Sequence, residues 1–318
     1  MVGNRKNLSN IIVCMTPLQA LIAEKIIEND SKNSYDLIYI TYYNQEKNKY
    51  YYDRISKKAN KAKFLYVKKN FLTFFRYTLT LLKDYENLYN ELYVATIHDK
   101  YCHFLSSKVK YKKLKTYDDG FGNIYPNSVF YQKAHQSFLK KCILYILGID
   151  KNMQKIREES EEHVTIYKNI SNIIESTKYI ELFDDLKITH NHQKQVSFFL
   201  GQPLKQLNEN FNDSFINDII SKIKVDYYVP HPAEKYKIVG DVHVVKTDLI
   251  FEDFLIEKLN NYEISNVIIY SFFSTTLFNL NNYKGIKVIS VYNSLIRKEY
   301  FDIYNFIEAC GVDTLEVH

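Results

Sequence analysis

The sequence predicts an α/β protein built from two doubly wound parallel sheets. Strand-like apolar runs alternate with helix-like segments through both halves of the chain. A length of 318 residues exceeds the usual single domain, so two domains of roughly 150 residues are expected. A polar interval over 184–195 separates the two alternating series.

In order, Ile11–Met15 reads as a strand. A helix follows over Pro17–Asn29, with Thr16 as N-cap and Pro17 at the first helical position. Asp36–Tyr42, Lys63–Val67 and Glu91–Thr96 read as strands, Phe71–Leu82 and Lys100–Lys108 as helices. A β-rich run, Val109–Tyr117, comes next. Residues 128–182 read as helical and charged, Glu158–Glu162 included. The polar interval sets domains of 1–190, with a helical insertion, and 191–318. The second series runs through strand Val196–Leu200, helix Ser214–Lys222, strands Val225–Val229 and Val242–Lys246, and helix Phe251–Leu259. It ends with strand Val267–Tyr270, helix Ser274–Leu280 and strand Val288–Val291.

In such folds the carboxyl ends of strands carry the chemistry, and four motifs stand there. Asp118-Asp119-Gly120 closes the 109–117 run, and Gly201-Gln202-Pro203 closes 196–200. His231-Pro232 closes 225–229. Ser271 and Ser274-Thr275 lie where the 267–270 strand turns into a helix. An acidic pair and a histidine are complementary in proton chemistry. A glycine lets a ligand approach the backbone, and hydroxyls at a helix start suit a phosphate. Each motif has a plainer reading too. Asp-Asp-Gly suits an ordinary turn, His-Pro a strand terminator, and Ser274 a helix N-cap.

Other features carry less. His190-x-His192 has the spacing of two metal ligands but lacks carboxylate or thiolate partners in a recognisable site, so no metal is expected. His98 and Cys102-His103 follow a strand and are candidates for lining a site in the first domain, or for core or surface positions. No Asp-x-Asp, GxGxxG or P-loop pattern occurs, which removes the usual divalent-metal, dinucleotide and NTPase readings, and no cofactor is expected. Phe71–Asp84 is a basic aromatic helix, a candidate membrane contact or an ordinary packed helix; Phe138–Ile146 is a candidate subunit contact.

A net charge of +5 suits an anionic ligand and falls far short of a nucleic-acid-binding signature. Four dispersed cysteines, Cys14, Cys102, Cys142 and Cys310, fit a reducing compartment. Met1–Asn10 is polar without a signal-peptide core, and no apolar run reaches the ~20 residues of a membrane span. The expected location is the cytoplasm.

Taken together, the Cys14-Met15-Thr16-Pro17-Leu18-Gln19 opening, the acidic pair with glycine, the Leu200-Gly201-Gln202-Pro203 turn, His231-Pro232 and the Ser274-Thr275 cluster resemble bacterial sialyltransferases. Within these the chain most resembles glycosyltransferase family 52, whose members sialylate lipooligosaccharide and capsule. The resemblance implies a GT-B fold, two Rossmann-like domains facing a central cleft. It also implies CMP-sialic acid as donor, a galactose-terminated glycan acceptor, inversion at the anomeric carbon, and no metal. On this reading the N-terminal domain takes the acceptor and the C-terminal domain the CMP donor. Asp119 is the expected base, with Asp118 orienting or replacing it. His231 hydrogen-bonds or protonates the departing phosphate, with Pro232, Ser271, Ser274 and Thr275 around the donor and Gly201 and Gln202 against cytidine or ribose. The family's other source of a base, an acid after the Gly-Gln-Pro turn, corresponds here to Glu209 or Asp213 without a clear match. A homodimer and a peripheral contact with the inner membrane are candidate associations. Rival readings are transfer from CMP-Kdo or a nucleotide-hexose, a non-catalytic nucleotide-sugar-binding protein, and an epimerase or hydrolase of the same shape.

Overall fold

A computed structural model of the chain describes residues 8–132, 144, 146–183, 195–261, 264 and 266–318. It divides into two units, Met1–Leu182 and Phe183–His318.

The first unit contains strands β1 (Asn10–Cys14), β2 (Tyr35–Thr41), β3 (Lys61–Tyr66), β4 (Leu88–Val94), β5 (Lys110–Tyr117), β6 (Ser160–Thr165) and β7 (Thr177–Tyr179). Its helices are α1 (Pro17–Asn29), α2 (Glu46–Ser56), α3 (Phe71–Asp84), α4 (Lys100–Lys108) and α5 (Met153–Glu159). The sheet order is β3-β2-β1-β4-β5-β6-β7, and every pairing is parallel. Strands β1 and β2 are buried along their whole length, as strands covered by helices on both faces must be. The order reverses between β1 and β4, the crevice where doubly wound sheets place ligands. At the start of α1, Thr16 Oγ1 accepts the Gln19 N–H at 3.3 Å and Pro17 stands where no hydrogen bond is needed. Such a cap is worth about 1 kcal/mol.

The charged stretch expected to be helical over 128–182 is only partly so. Beyond α5 it supplies the two strands β6 and β7. The reason lies across the sheet. Glu161 faces Lys113 at 2.8 Å and Glu162 faces Lys115 at 3.2 Å, so the acids are cross-strand partners of β5 lysines. Positions 138–143 and 145 of the Phe138–Ile146 segment lie outside the described residues.

The second unit contains strands β8 (Gln195–Leu200), β9 (Tyr227–Val229), β10 (His243–Val244), β11 (Asn266–Ser271), β12 (Ile286–Tyr292) and β13 (Asp313–Glu316). Helices α6 (Asp213–Ile223), α7 (Phe251–Asn260), α8 (Thr275–Leu280), α9 (Ser294–Glu299) and α10 (Phe301–Ala309) accompany them. The order is β10-β9-β8-β11-β12-β13, again wholly parallel, with its reversal between β8 and β11. Each unit is therefore Rossmann-like, and the chain is α/β as expected. Most of the interval 184–195, with His190 and His192, lies outside the described residues.

Candidate functional site

In the first unit three strand ends meet at the switch point. Strand β5 ends on Asp118 and Asp119, whose environments differ completely. Asp118 is fully buried. Its Oδ1 accepts from His163 Nε2 at 2.8 Å and Asn172 Nδ2 at 3.1 Å. Its Oδ2 accepts from the Thr165 hydroxyl at 2.8 Å and the Ile166 N–H at 2.7 Å. Thr116 Oγ1 lies 2.8 Å from His163 Nδ1, so the ring is held at both nitrogens. Four donors saturate this carboxylate, and it clamps the end of β5 to β6 and to the segment that follows it. Nothing in that arrangement exposes it to a substrate.

Asp119 is half-buried. Its backbone N–H donates to Asn123 Oδ1 at 2.7 Å, and Gln19 Nε2 donates to its Oδ1. Gln19 is itself buried and fixed, with Nε2 also reaching Thr96 Oγ1 at 2.7 Å and Oε1 accepting the Met15 N–H at 2.7 Å. Residues following β1, β4 and β5 thus hold one carboxyl. Burial raises the Asp119 pKa above the ordinary carboxylate value, against the opposing effects of Gln19, His98 and Thr96; Asp118 adds to the rise. A partly exposed carboxyl with raised proton affinity is what a general base requires. Gly120 has φ of +136°, a conformation that favours glycine and turns the chain sharply after the pair.

The neighbours sort accordingly. His98 is exposed, its ring 5.1 Å from Phe130, and it lies close enough to act on Asp119 electrostatically. Cys102 and His103 are core residues, with His103 Nε2 2.9 Å from the Ile97 carbonyl. Burial pushes the Cys14 thiol up to about 12 and raises Cys102 as well, so neither offers a thiolate nucleophile.

The second unit ties its own switch point together in the same way. Gln202, after β8, accepts the Phe273 N–H at 2.9 Å and the Ser271 hydroxyl at 3.3 Å. Ser271, after full burial, also donates to the Leu200 carbonyl at 2.9 Å. Ser271 is thereby a latch between strand ends, and the expectation that it faces a ligand is corrected by its burial. Ser274 is the N-cap of α8, its Oγ accepting the Thr276 N–H at 3.3 Å; Ser274 and Thr275 both remain partly exposed.

Gly201 also has a different physical role from the expected one. A Cβ there would stand 2.3 Å from Glu234 Oε2 and 2.4 Å from the Tyr228 hydroxyl. The missing side chain makes room for these two residues. Tyr228 donates to Glu234 Oε1 at 2.7 Å, and the Glu234 N–H donates to the His231 carbonyl at 3.0 Å. Burial pushes the Glu234 carboxyl up to about 7, opposed by Tyr228 and the His231 backbone. Its Oε2 is buried with no hydrogen-bond partner among the described residues.

His231 and Pro232 are exposed on this turn. His231 Nδ1 accepts the Ala233 N–H at 3.1 Å, which puts the neutral ring's proton on Nε2. That tautomer makes Nε2 a hydrogen-bond donor. Beside the turn lies a cavity of about 340 Å³ lined by Pro203, Lys205, Gln206, Ala233, Glu234, Lys235 and Tyr236. Glu209 is exposed; Asp213 opens α6 and its Oδ2 accepts the Lys237 N–H at 3.3 Å. Among the described residues no cluster of three or more His, Cys, Asp or Glu side chains could hold a metal ion.

Sequence reasoning missed His163, Asn172 and Glu234. Only Glu234 left a usable signal, an acid three residues after a histidine at a strand end.

The chain is similar to known proteins over most of its length. It is 30% identical over 313 residues to the CMP-N-acetylneuraminate:beta-galactoside alpha-2,3-sialyltransferase of Pasteurella multocida, covering 97% of this chain and 99% of that one. It is 31% identical over 296 residues to the N-acetyllactosaminide alpha-2,3-sialyltransferase of Haemophilus influenzae, covering 92% and 94%. Among solved structures it is similar to MurG of Acinetobacter baumannii, with a TM-score of 0.46 and 7% identity over 98% of this chain and 86% of that one. The model of glycosyltransferase family 52 matches residues 33–295, and the chain belongs to that family.

Proposed function

We propose that this glycosyltransferase moves sialic acid from CMP-sialic acid to the 3-hydroxyl of a terminal galactose on a bacterial surface glycan, lipooligosaccharide or capsule. The observation that carries the reading is Asp119, a half-buried carboxyl with raised proton affinity, in a member of this family. The activity of the Pasteurella multocida relative supports the donor, and the activities of both relatives support the linkage.

The acceptor hydroxyl gives its proton to Asp119 as its oxygen bonds to the anomeric carbon. The bond from that carbon to the phosphate oxygen breaks, and CMP leaves with the electron pair. A single displacement of this kind inverts the anomeric centre. Gln19 occupies one side of the Asp119 carboxyl and orients it. His231 donates Nε2–H to the departing phosphate; its tautomer favours a hydrogen bond over full proton transfer. Ser274 and Thr275 add hydroxyls, and the cytidine occupies the cavity beside the His231 turn, where Lys205 and Lys235 supply positive charge. A leaving group with one phosphate can be met by these donors without a divalent ion. The reaction runs on the cytoplasmic side, where the acceptor is still attached to its lipid.

The test is incubation with CMP-sialic acid and labelled lactose or N-acetyllactosamine, followed by linkage-specific sialidases. A product cleaved by an α-2,3-specific sialidase supports the reading. CMP release that does not depend on acceptor, or transfer only from CMP-Kdo or a nucleotide-hexose, would overturn it.

A further inference from the structure

Helix α3 has two unlike faces. Phe74, Thr78 and Leu81 are buried in the first unit. On the opposite side Leu72, Phe75 and Leu79 follow one another at i, i+3 and i+7, with 82, 45 and 55% of their surface exposed. Three large apolar side chains on one stripe imply a covering partner, because each keeps an unfavourable contact with water. The surrounding charge selects that partner. Lys68, Lys69, Arg76 and Lys83 are all exposed around the stripe, and positions 67–83 contain no Asp or Glu. The first acid beyond, Asp84, is engaged by Lys63. A second copy pairing through the same face would bring like charges together across a two-fold axis. An anionic lipid surface offers apolar depth directly beside negative phosphates.

We propose that α3 lays its Leu72–Phe75–Leu79 face on an anionic phospholipid bilayer, with Lys68, Lys69, Arg76 and Lys83 among the headgroups. The topology gives this a consequence for the reaction. In a parallel sheet a helix that follows a strand starts at the carboxyl edge, so Leu72, in the first turn of α3, lies at the same edge of the unit as Asp119. A bilayer against α3 would present a lipid-linked acceptor at the edge that carries the base. That consequence rests on the sialyl-transfer reading; the lipid contact itself does not.

The full chain is sedimented with vesicles of phosphatidylcholine alone or with about 30 mol% phosphatidylglycerol. The chain should bind the anionic vesicles, leave the neutral ones, and be released at about 0.5 M NaCl. Leu72→Ser with Leu79→Ser should lower the partition coefficient by about tenfold or more. The melting temperature and the activity on soluble lactose should stay as in the parent, since both side chains are exposed and neither is among the site residues. Activity on a galactose-terminated lipid in the same vesicles should fall. A parent that ignores anionic vesicles, or a double variant that binds them like the parent, would overturn the proposal. So would a parent dimer that the double variant splits without any vesicle binding, which would assign the face to a second copy. Vesicle binding without transferase activity would leave this proposal standing and sink the functional one.

Discussion

Replacing Asp118 with alanine separates architecture from chemistry in the acidic pair. The substitution removes the acceptor of four hydrogen bonds, from His163 at 2.8 Å, Thr165 at 2.8 Å, Ile166 N–H at 2.7 Å and Asn172 at 3.1 Å. Asn172 is half-buried and keeps Thr165 Oγ1 at 3.3 Å. The other three donors are buried, and each left without a partner costs about 1–3 kcal/mol, so the unrelaxed sum is about 3–9 kcal/mol. Relaxation and a water entering the vacated space reduce this, and breaking a buried charged network typically costs about 3–5 kcal/mol. For a unit of this size each kcal/mol lowers the melting temperature by about 2–4 °C, which predicts a drop of about 10 °C or more in the transition of the first unit. Asp118→Asn, which keeps the shape but turns an amide N–H₂ toward two donors, should fall between. Circular dichroism melts of parent, Asp118→Ala and Asp119→Ala decide the matter. Asp118→Ala melting within about 2 °C of the parent while losing activity would show that this carboxylate does chemistry, and the division of roles between the two acids would be wrong.

Three further outcomes follow. His231→Ala should weaken CMP binding by roughly ten- to a hundredfold in calorimetric titration, the worth of one charge-assisted hydrogen bond of about 1.5–3 kcal/mol; Ser274→Ala and Thr275→Ala should weaken it less because the backbone N–H groups remain, and unchanged affinity in His231→Ala would remove the second unit's turn from the donor site. Glu234, held near pH 7 against an ordinary value of 4.5, keeps its proton in the folded state over a range where the unfolded chain has lost it, so its contribution to stability falls as pH rises from about 4.5 to about 7; Glu234→Gln should flatten that part of the melting-temperature profile, and an unaltered profile would mean that the carboxyl is ionised throughout. Transfer should persist in EDTA, and loss on chelation restored by Mn²⁺ would contradict a metal-independent reaction.

Much of the fold was legible because parallel strands buried on both faces are continuous apolar runs. Pro17–Asn29 and Lys100–Lys108 coincide with α1 and α4, since a cap or a strong boundary marks each end. Helix α2 was missed because only Asn48, Tyr51 and Ile55 of its polar sequence turn inward, too few to stand out as an apolar stripe. β6 was missed because its acids owe their place to lysines some 48 positions earlier, as with Lys113 and Glu161, a pairing no local window contains. At the site, turn residues at strand ends located the motifs but not the division of labour inside them. Asp118 and Asp119 are indistinguishable as letters; only the β6 segment that supplies His163, Thr165 and Ile166 makes one of them a clamp. Gly201 read as open backbone because Glu234 and Tyr228, which fill the space, are brought there by the β9 turn.

The most direct test of the central claim is transfer by Asp119→Asn under saturating CMP-sialic acid and lactose, with CMP affinity measured on the same preparation. The substitution keeps the shape beside Gln19 but removes the proton acceptor. Turnover should fall by about 10²–10⁴-fold while CMP affinity changes little. In the parent, turnover should fall as pH drops through the raised Asp119 pKa, and the residual activity of the variant should lose that acid limb. Full turnover in Asp119→Asn would contradict the account and move the search for the base to Glu209 and Asp213.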